Sequence, residues 1–373
     1  MTKQRFLNTT APSSFAELAR YTQSNKLSIY YPVYSFGRMV PKHDNELLET
    51  YIPYMATQLR KAIEEGDSLR IQTYIMALGN FGHPKILSIF EPYLEGAIPI
   101  SKFQRLMMVI SLSKLTESYP RVVRSVALRI YLNLKEVYEL RCVAVHIIMN
   151  TNPSLLILQR LAEFTNQDQD RHVNSVVKTS IESLINLEQT EWNDLAEKAR
   201  IASKLLNPNI SEDNYSKSIF MQTIIASLNV AQTNIFQIIG SDDTNTPKNA
   251  YIDILQSYGG LTLPLTKMAY AVSSIEELKQ QWLDILLGKR PWMPQNQTRK
   301  EWMIETIVEK LGIEPENAEQ LEGNFFLDSA FSLGFYPFDN YTLEEFTNSK
   351  YSEIYLKAVD FNNVNHYFFV LQY

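Results

Sequence analysis

Three prolines constrain this chain more than any other feature. Pro84, Pro120 and Pro153 stand 36 and 33 residues apart. Each follows a turn-forming stretch: Asn80 to His83, Thr116 to Tyr119, and Asn150 to Asn152. Each is followed, two and three residues on, by an apolar pair: Ile86-Leu87, Val122-Val123 and Leu155-Leu156. Eight and ten residues earlier the three units are apolar again, at Met76 and Tyr74, Leu112 and Ile110, and Val145 and Val143. Proline has no amide hydrogen to lose, and its fixed φ suits the first turn of a helix. The unit therefore reads helix, turn, proline, helix. A period of this length means an α-solenoid, because one helix pair cannot bury its apolar face alone and must stack on its neighbours.

Helices are expected over residues 15–22, 46–65, 69–80, 85–94, 103–117, 121–134, 140–150, 155–165, 172–187 and 192–206, with a looped stretch around Pro32, Gly37 and Pro41. The stretch from Leu206 to Asn214 has no apolar period and reads as a connector. Beyond it the period changes. Ile219, Met221, Thr223 and Ile225 share one parity, as do Ile235, Gln237 and Ile239, which suits half-buried antiparallel strands. Leu261, Leu263 and Leu265 alternate too, with Pro264 marking an edge. Two helices are expected over residues 275–287 and 300–311. A strand pair follows over 325–338, and residues 366–373 form a last apolar run. The fold class is α+β, with a solenoid over residues 1–207 and a sheet-rich region over 208–373.

Little in the chain points to catalysis. The histidines at 43, 83, 146, 172 and 366 contain no i,i+4 pair and no H-E-x-x-H, so no metal site is expected. His146 lies in an apolar helix and reads as a core histidine. There is no G-x-S-x-G elbow and no phosphate-binding loop, and Gly259-Gly260 precedes a strand rather than a helix. The single cysteine, Cys142, excludes an intrachain disulfide and reads as a buried, inert thiol. A net charge of −6 argues against nucleic acid as partner. No run is long and apolar enough for a membrane span, and the first ten residues hold no signal-peptide h-region. Asn-x-Ser/Thr sequons occur at Asn8, Asn209, Asn214, Asn296 and Asn340.

Several stretches resemble insect vitellogenin, of the large lipid transfer protein family. They include Tyr31-Pro32-Val33-Tyr34-Ser35-Phe36-Gly37-Arg38, the run from Asp67 to Gly79, and the run from Pro84 to Gly96. Leu158 to Thr165, Leu321-Glu322-Gly323-Asn324 and Phe335-Tyr336-Pro337-Phe338-Asp339 extend the similarity, which spans roughly residues 5–340. The resemblance implies that the solenoid is the family's helical arch and that the strands begin the sheets walling its lipid cavity. It further implies a secreted lipoprotein and yolk precursor that carries phospholipid and neutral lipid without covalent chemistry, as part of a longer chain or a homo-oligomer. No cofactor is expected beyond bound lipid.

The positions expected to line such a cavity are Ile219, Met221, Ile235, Ile239, Leu261, Leu263, Phe325, Leu327 and Phe335. Alternation does not say which parity faces the helices, since a one-residue slip exchanges the two faces. The rival reading is a protein-interaction scaffold using the solenoid, without lipid. A lipid wall packed on helices should be apolar on both faces, whereas a scaffold should present a polar outer face.

Overall fold

The computed structural model describes residues 3–23, 47–189, 192–210, 216–241, 247–258, 261–273, 322–329 and 332–339. The expected loop around Pro32, the helices at 275–287 and 300–311, and the run at 366–373 lie outside them.

The helices form two rows. The odd-numbered ones are α1 (Lys3–Gln23), α3 (Ser68–Asn80), α5 (Lys102–Ser111), α7 (Tyr138–Met149) and α9 (Arg171–Leu184), each packed on the next. The even-numbered ones are α2 (Ile52–Glu65), α4 (Lys85–Leu94), α6 (Pro120–Leu132), α8 (Leu155–Phe164) and α10 (Asn193–Ala202). The two rows start differently. Asp67, Ser101 and Asp170 cap α3, α5 and α9 by accepting a backbone N–H three residues on, at 3.0 Å each. Proline opens the outer row instead: Pro84 caps α4 and Pro120 is the first residue of α6, while Pro153 stands just ahead of the Ser154 cap of α8. The prolines of the sequence repeat thus mark the outer helices.

Burial follows the layering. In α7 every residue from Leu140 to Met149 is buried, because the helix has neighbours on both sides. In α6 only Val123, Ala127 and Tyr131 are, a single stripe at i, i+4 and i+8. Arg141 and Asp168 form a fully buried ion pair, and Arg141 Nε also donates to Tyr131 O at 2.9 Å. This ties α7 to the outer row and to the loop before α9.

Six strands follow as one antiparallel meander in chain order: β1 (Lys217–Ile225), β2 (Val230–Ile239), β3 (Asn249–Tyr258), β4 (Leu261–Val272), β5 (Glu322–Ser329) and β6 (Ser332–Asp339). The inner helix row covers one face. α9 lies on β1, α7 on β2, and α1 and α3 on β6, so the helices and strands run in opposite order across the interface.

Two expectations change. The helix expected at 15–22 begins at Lys3. Its Thr9 and Thr10 dock on the sheet by polar contact, donating to Phe335 O on β6 at 3.3 and 3.4 Å. β4 is an inner strand, not an edge. β5 pairs with it only from Thr266 to Val272, so Pro264 sits in the part with β3 as its sole described neighbour, beside a register shift opposite Ile254 and Leu255.

Candidate functional site: the outer face of the sheet

The register sorts every strand position onto one of two faces. Ser218 and Phe220 on β1 pair with Gln237 and Ile235 on β2, which pair with Tyr251 and Asp253 on β3. That set continues through Ala269 and Lys267 on β4 to Phe326 and Asp328 on β5, and to Phe335 on β6. These residues face the inner helices. The alternate set, Ile219, Met221, Phe236, Ile238, Ile252, Ile254, Met268, Tyr270, Phe325, Leu327, Tyr336 and Phe338, points the other way, where no described element packs.

The charges of the sheet lie on the covered side. Asp253, Lys267, Glu322, Asp328 and Asp339 all belong to the helix-facing set, and Lys217, at the first position of β1, is the sole charged residue of the described strands on the outer one. Each buried charge has partners, as burial demands. Lys267 meets Asp253 at 3.1 Å. Lys114 of the turn after α5 bridges Glu17 of α1 at 3.1 Å and Asp328 at 3.2 Å. Burial alone would raise the Glu17 pKa, but Lys114 and Arg20 outweigh it and hold the carboxyl below the usual range. Tyr251, Asp253 and Asp328 keep Lys267 protonated against its burial. Glu322 accepts from Ser68 Oγ at 2.7 Å, from Gln104 Nε2 at 2.6 Å and from Ser101 Oγ. Ser68 and Ser101 stand at the N-termini of α3 and α5, so two positive helix ends meet one carboxylate. The seam between arch and sheet therefore combines these ionic and polar contacts with an apolar core that includes Phe220, Ile235, Ile239, Phe326 and Phe335.

The outer face is the greasy one. Met221, Phe325 and Ile238 are 53%, 55% and 42% exposed. Phe325 lies between Tyr270 and Phe338, at ring distances of 6.4 and 5.7 Å. Gly323 makes room for this cluster: a Cβ there would meet the Phe338 ring at 2.2 Å. The Tyr270 hydroxyl donates to Pro247 O at 2.9 Å, and burial pushes its pKa up to about 12. Apart from Lys217 the polar residues on this face are uncharged, and Gln232 Nε2 donates to Asn234 Oδ1 at 2.9 Å.

Of the positions expected to line a cavity, Ile219, Met221, Phe325 and Leu327 share this outer face. Ile235, Ile239 and Phe335 do not: they are 4%, 1% and 0% exposed, packed in the core against the helices. The physical reason is parity, since both alternations are apolar on β2 and only the docking of α7 and α9 selects one. Leu261 and Leu263 pair in register with Tyr258 and Gln256 of the outer set, and their side chains lie outside the described residues. Phe236, Ile252, Ile254, Met268 and Phe338 belong to the face and were missed. The shared parity of Asp253, Lys267 and Asp328 was the signal that could have found them. The covered face is mixed: Phe220, Ala231, Ile235, Ile239, Phe326 and Phe335 are buried there beside the charged residues, so both faces carry apolar side chains and the charges distinguish the two.

Among the described residues no cluster of His, Cys, Asp or Glu could hold a metal, and no helix is long and apolar enough to cross a membrane. Cys142 is buried, and that burial raises its thiol pKa well above the ordinary value. A concavity of about 660 Å³ opens between α4 and α6, lined by Leu87, Val126, Ile130 and Arg105, which donates to Glu136 at 3.0 Å.

Comparison with known proteins gives a consistent result. Residues 1–182 match the family model described as the vitellogenin TPR domain, and residues 214–370 match that described as vitellinogen, open beta-sheet. The chain is 60% identical to vitellogenin-1 of Solenopsis invicta over 349 residues, 94% of this chain and 21% of that one. It is 32% identical to vitellogenin-2 of Periplaneta americana, over 97% of this chain and 20% of that one. It spans about a fifth of the length of these curated relatives. A solved structure described as lipid-protein interactions in lipovitellin superposes with a TM-score of 0.65 at 17% identity, covering 91% of this chain and 31% of that one.

Proposed function

The chain belongs to the vitellogenin family, and on that premise we propose that it binds lipid non-covalently on the outer face of its sheet, as the arch and first cavity wall of a lipid-carrying yolk precursor. The observation that carries this reading is the inverted polarity of the sheet. A sheet facing water on one side turns its charges outward. This one turns them toward its own helices and presents Met221, Phe236, Ile238, Ile252, Phe325 and Phe338 outward. Acyl chains covering that face would remove apolar surface from water at about 25 cal/mol per Å². No bond is made or broken, so the reading is a non-enzymatic one.

The same membership supports secretion. Asn209, the first residue of one sequon, is exposed on a turn suited to a glycan, whereas the sequon at Asn8 has its Thr10 buried against β6. The test is native purification followed by lipid mass spectrometry. Phospholipid and neutral lipid should co-purify with the folded chain, and Phe325→Asp should reduce the amount retained. A folded wild-type chain free of lipid would overturn the reading.

A further inference from the structure

The first strand and its turn run past the helix layer that covers them. The cover ends at Gln222, whose Oε1 accepts from the backbone N–H groups of Glu188 and Gln189 at 2.9 Å each, just beyond α9. β1 continues to Ile225, turns through Ala226–Leu228 and Asn229, and returns as β2. In this overhang the end of β1 loses its cover on the helix-facing side as well, while Ala231 and Ser257 beside it on β2 and β3 stay buried. Ile224, of the helix-facing set, is 41% exposed, Ile225 of the outer set 48%, and Leu228 at the turn 68%. Beside the hairpin, the end of β3 adds Tyr258, 45% exposed and paired with Val230.

Charge is absent over the same stretch. No Asp, Glu, Lys, Arg or His occurs between Lys217 and Asp242, nor between Asp253 and Lys267. Charged residues make up 20% of the chain as a whole. A hairpin tip bound for water would carry charge at its turn, and a protein-docking edge would carry a polar, ionic rim. An uncharged tip that is apolar on both faces, with a tyrosine at its shoulder, suits the boundary between headgroups and acyl chains.

We propose that this overhanging end of the sheet, led by Ile224, Ile225 and Leu228, inserts into a lipid surface, so that the outer face meets the surface from which it takes lipid. The proposal rests on the reading of the outer face as lipid-binding, but it concerns docking and not cargo. With no cation at the tip, attachment comes from apolar insertion. It is therefore independent of anionic lipid and insensitive to salt.

The experiment is flotation of the full chain with phosphatidylcholine vesicles, with and without phosphatidylserine, at low and high salt. Wild type should float equally in all conditions. Leu228→Asp and Ile224→Asp, both off the outer face and exposed, should fold normally by circular dichroism, keep their co-purified lipid, and lose vesicle partitioning at least tenfold. Wild type that stays in solution, variants that float as well as wild type, or binding that requires phosphatidylserine would each overturn the proposal. So would a concentration-dependent dimer abolished by Leu228→Asp without vesicle binding, which would make a second copy the occupant. Lipid-free protein that still floats through its tip would sink the cargo reading and leave the docking proposal standing.

Discussion

At the scale of single residues, the polar seam makes stability depend on pH, and His146 is the sharpest case. Its ring is buried on α7. Asn150 Nδ2 sits 3.0 Å from Nε2 and donates to it, which leaves the proton on Nδ1, 3.2 Å from Ser218 Oγ. The Tyr251 ring meets it edge-on at 5.2 Å. Burial lowers the pKa to about 4, with Lys267 across the seam adding to the effect. In the unfolded chain a histidine titrates near 6.5. As pH falls from 6.5 toward 4, the unfolded state takes up a proton that the folded state refuses, so stability falls over that window. The full effect is about 3 kcal/mol, at 1.36 kcal/mol per unit. Glu17 adds a loss further down: its folded pKa is depressed, so its contribution holds above the unfolded carboxyl pKa and disappears as pH falls through the folded one. Urea midpoints measured from pH 7 to 4.5 should fall, and His146→Gln should flatten the curve above pH 5. Parallel curves for the two proteins would show that another group carries the slope.

At the scale of elements, the inner row is set by how closely its helices approach. Gly79 on α3 faces Ser111 at the end of α5, where an added Cβ would stand 2.5 Å from Ser111 Cβ and 3.0 Å from its carbonyl oxygen. Alanine would gain roughly 1 kcal/mol of helix propensity. The clash is with backbone as well as side chain, so α3 and α5 must part, and overpacking of this kind costs about 1–3 kcal/mol. Gly79→Ala should therefore lower the denaturation midpoint, Gly79→Val should lower it further, and stabilisation by either would mean the rows are looser than the geometry says. The helices themselves were legible, because each carries an apolar stripe and most starts carry a proline or a capping side chain. The division into rows was not, since the single stripe of Val123, Ala127 and Tyr131 on α6 and the run from Leu140 to Met149 on α7, where even Arg141 and His146 are buried, are told apart by how many sides are covered. The faces of the strands were illegible for a related reason: on β2 both Phe236 and Ile235 are apolar, and the helices alone decide between them.

At the scale of the whole molecule, an arch of helices holds the sheet by the side that carries its charges, and among the described residues no element packs on the other. The sequence carried this in the parity of a few charges, Asp253, Lys267 and Asp328, whose helical partners Lys114 and Glu17 lie far away in the chain and could not be paired by reading along it. The arrangement has a consequence for the chain stripped of lipid. Monomeric proteins rarely expose contiguous apolar patches beyond a few hundred Å². Here outer-face residues of all six strands, from Met221 to Phe338, share one side with no charge between the strand ends to oppose stacking. The helix–sheet seam is held by ion pairs, hydrogen bonds and an apolar core that includes Phe220, Ile235, Phe326 and Phe335, all on the side away from the outer face, so the fold should survive while that face is laid bare. Delipidated protein should keep its circular dichroism, bind an apolar dye strongly and grow in light scattering with concentration, and added phosphatidylcholine should reverse both changes. Phe325→Asp, a charge in the middle of the face, should reduce the association without lipid present. A delipidated chain that stays monomeric and dark to the dye would mean that its own residues cover the face, and the sheet would then be an interior wall rather than a lipid-facing one.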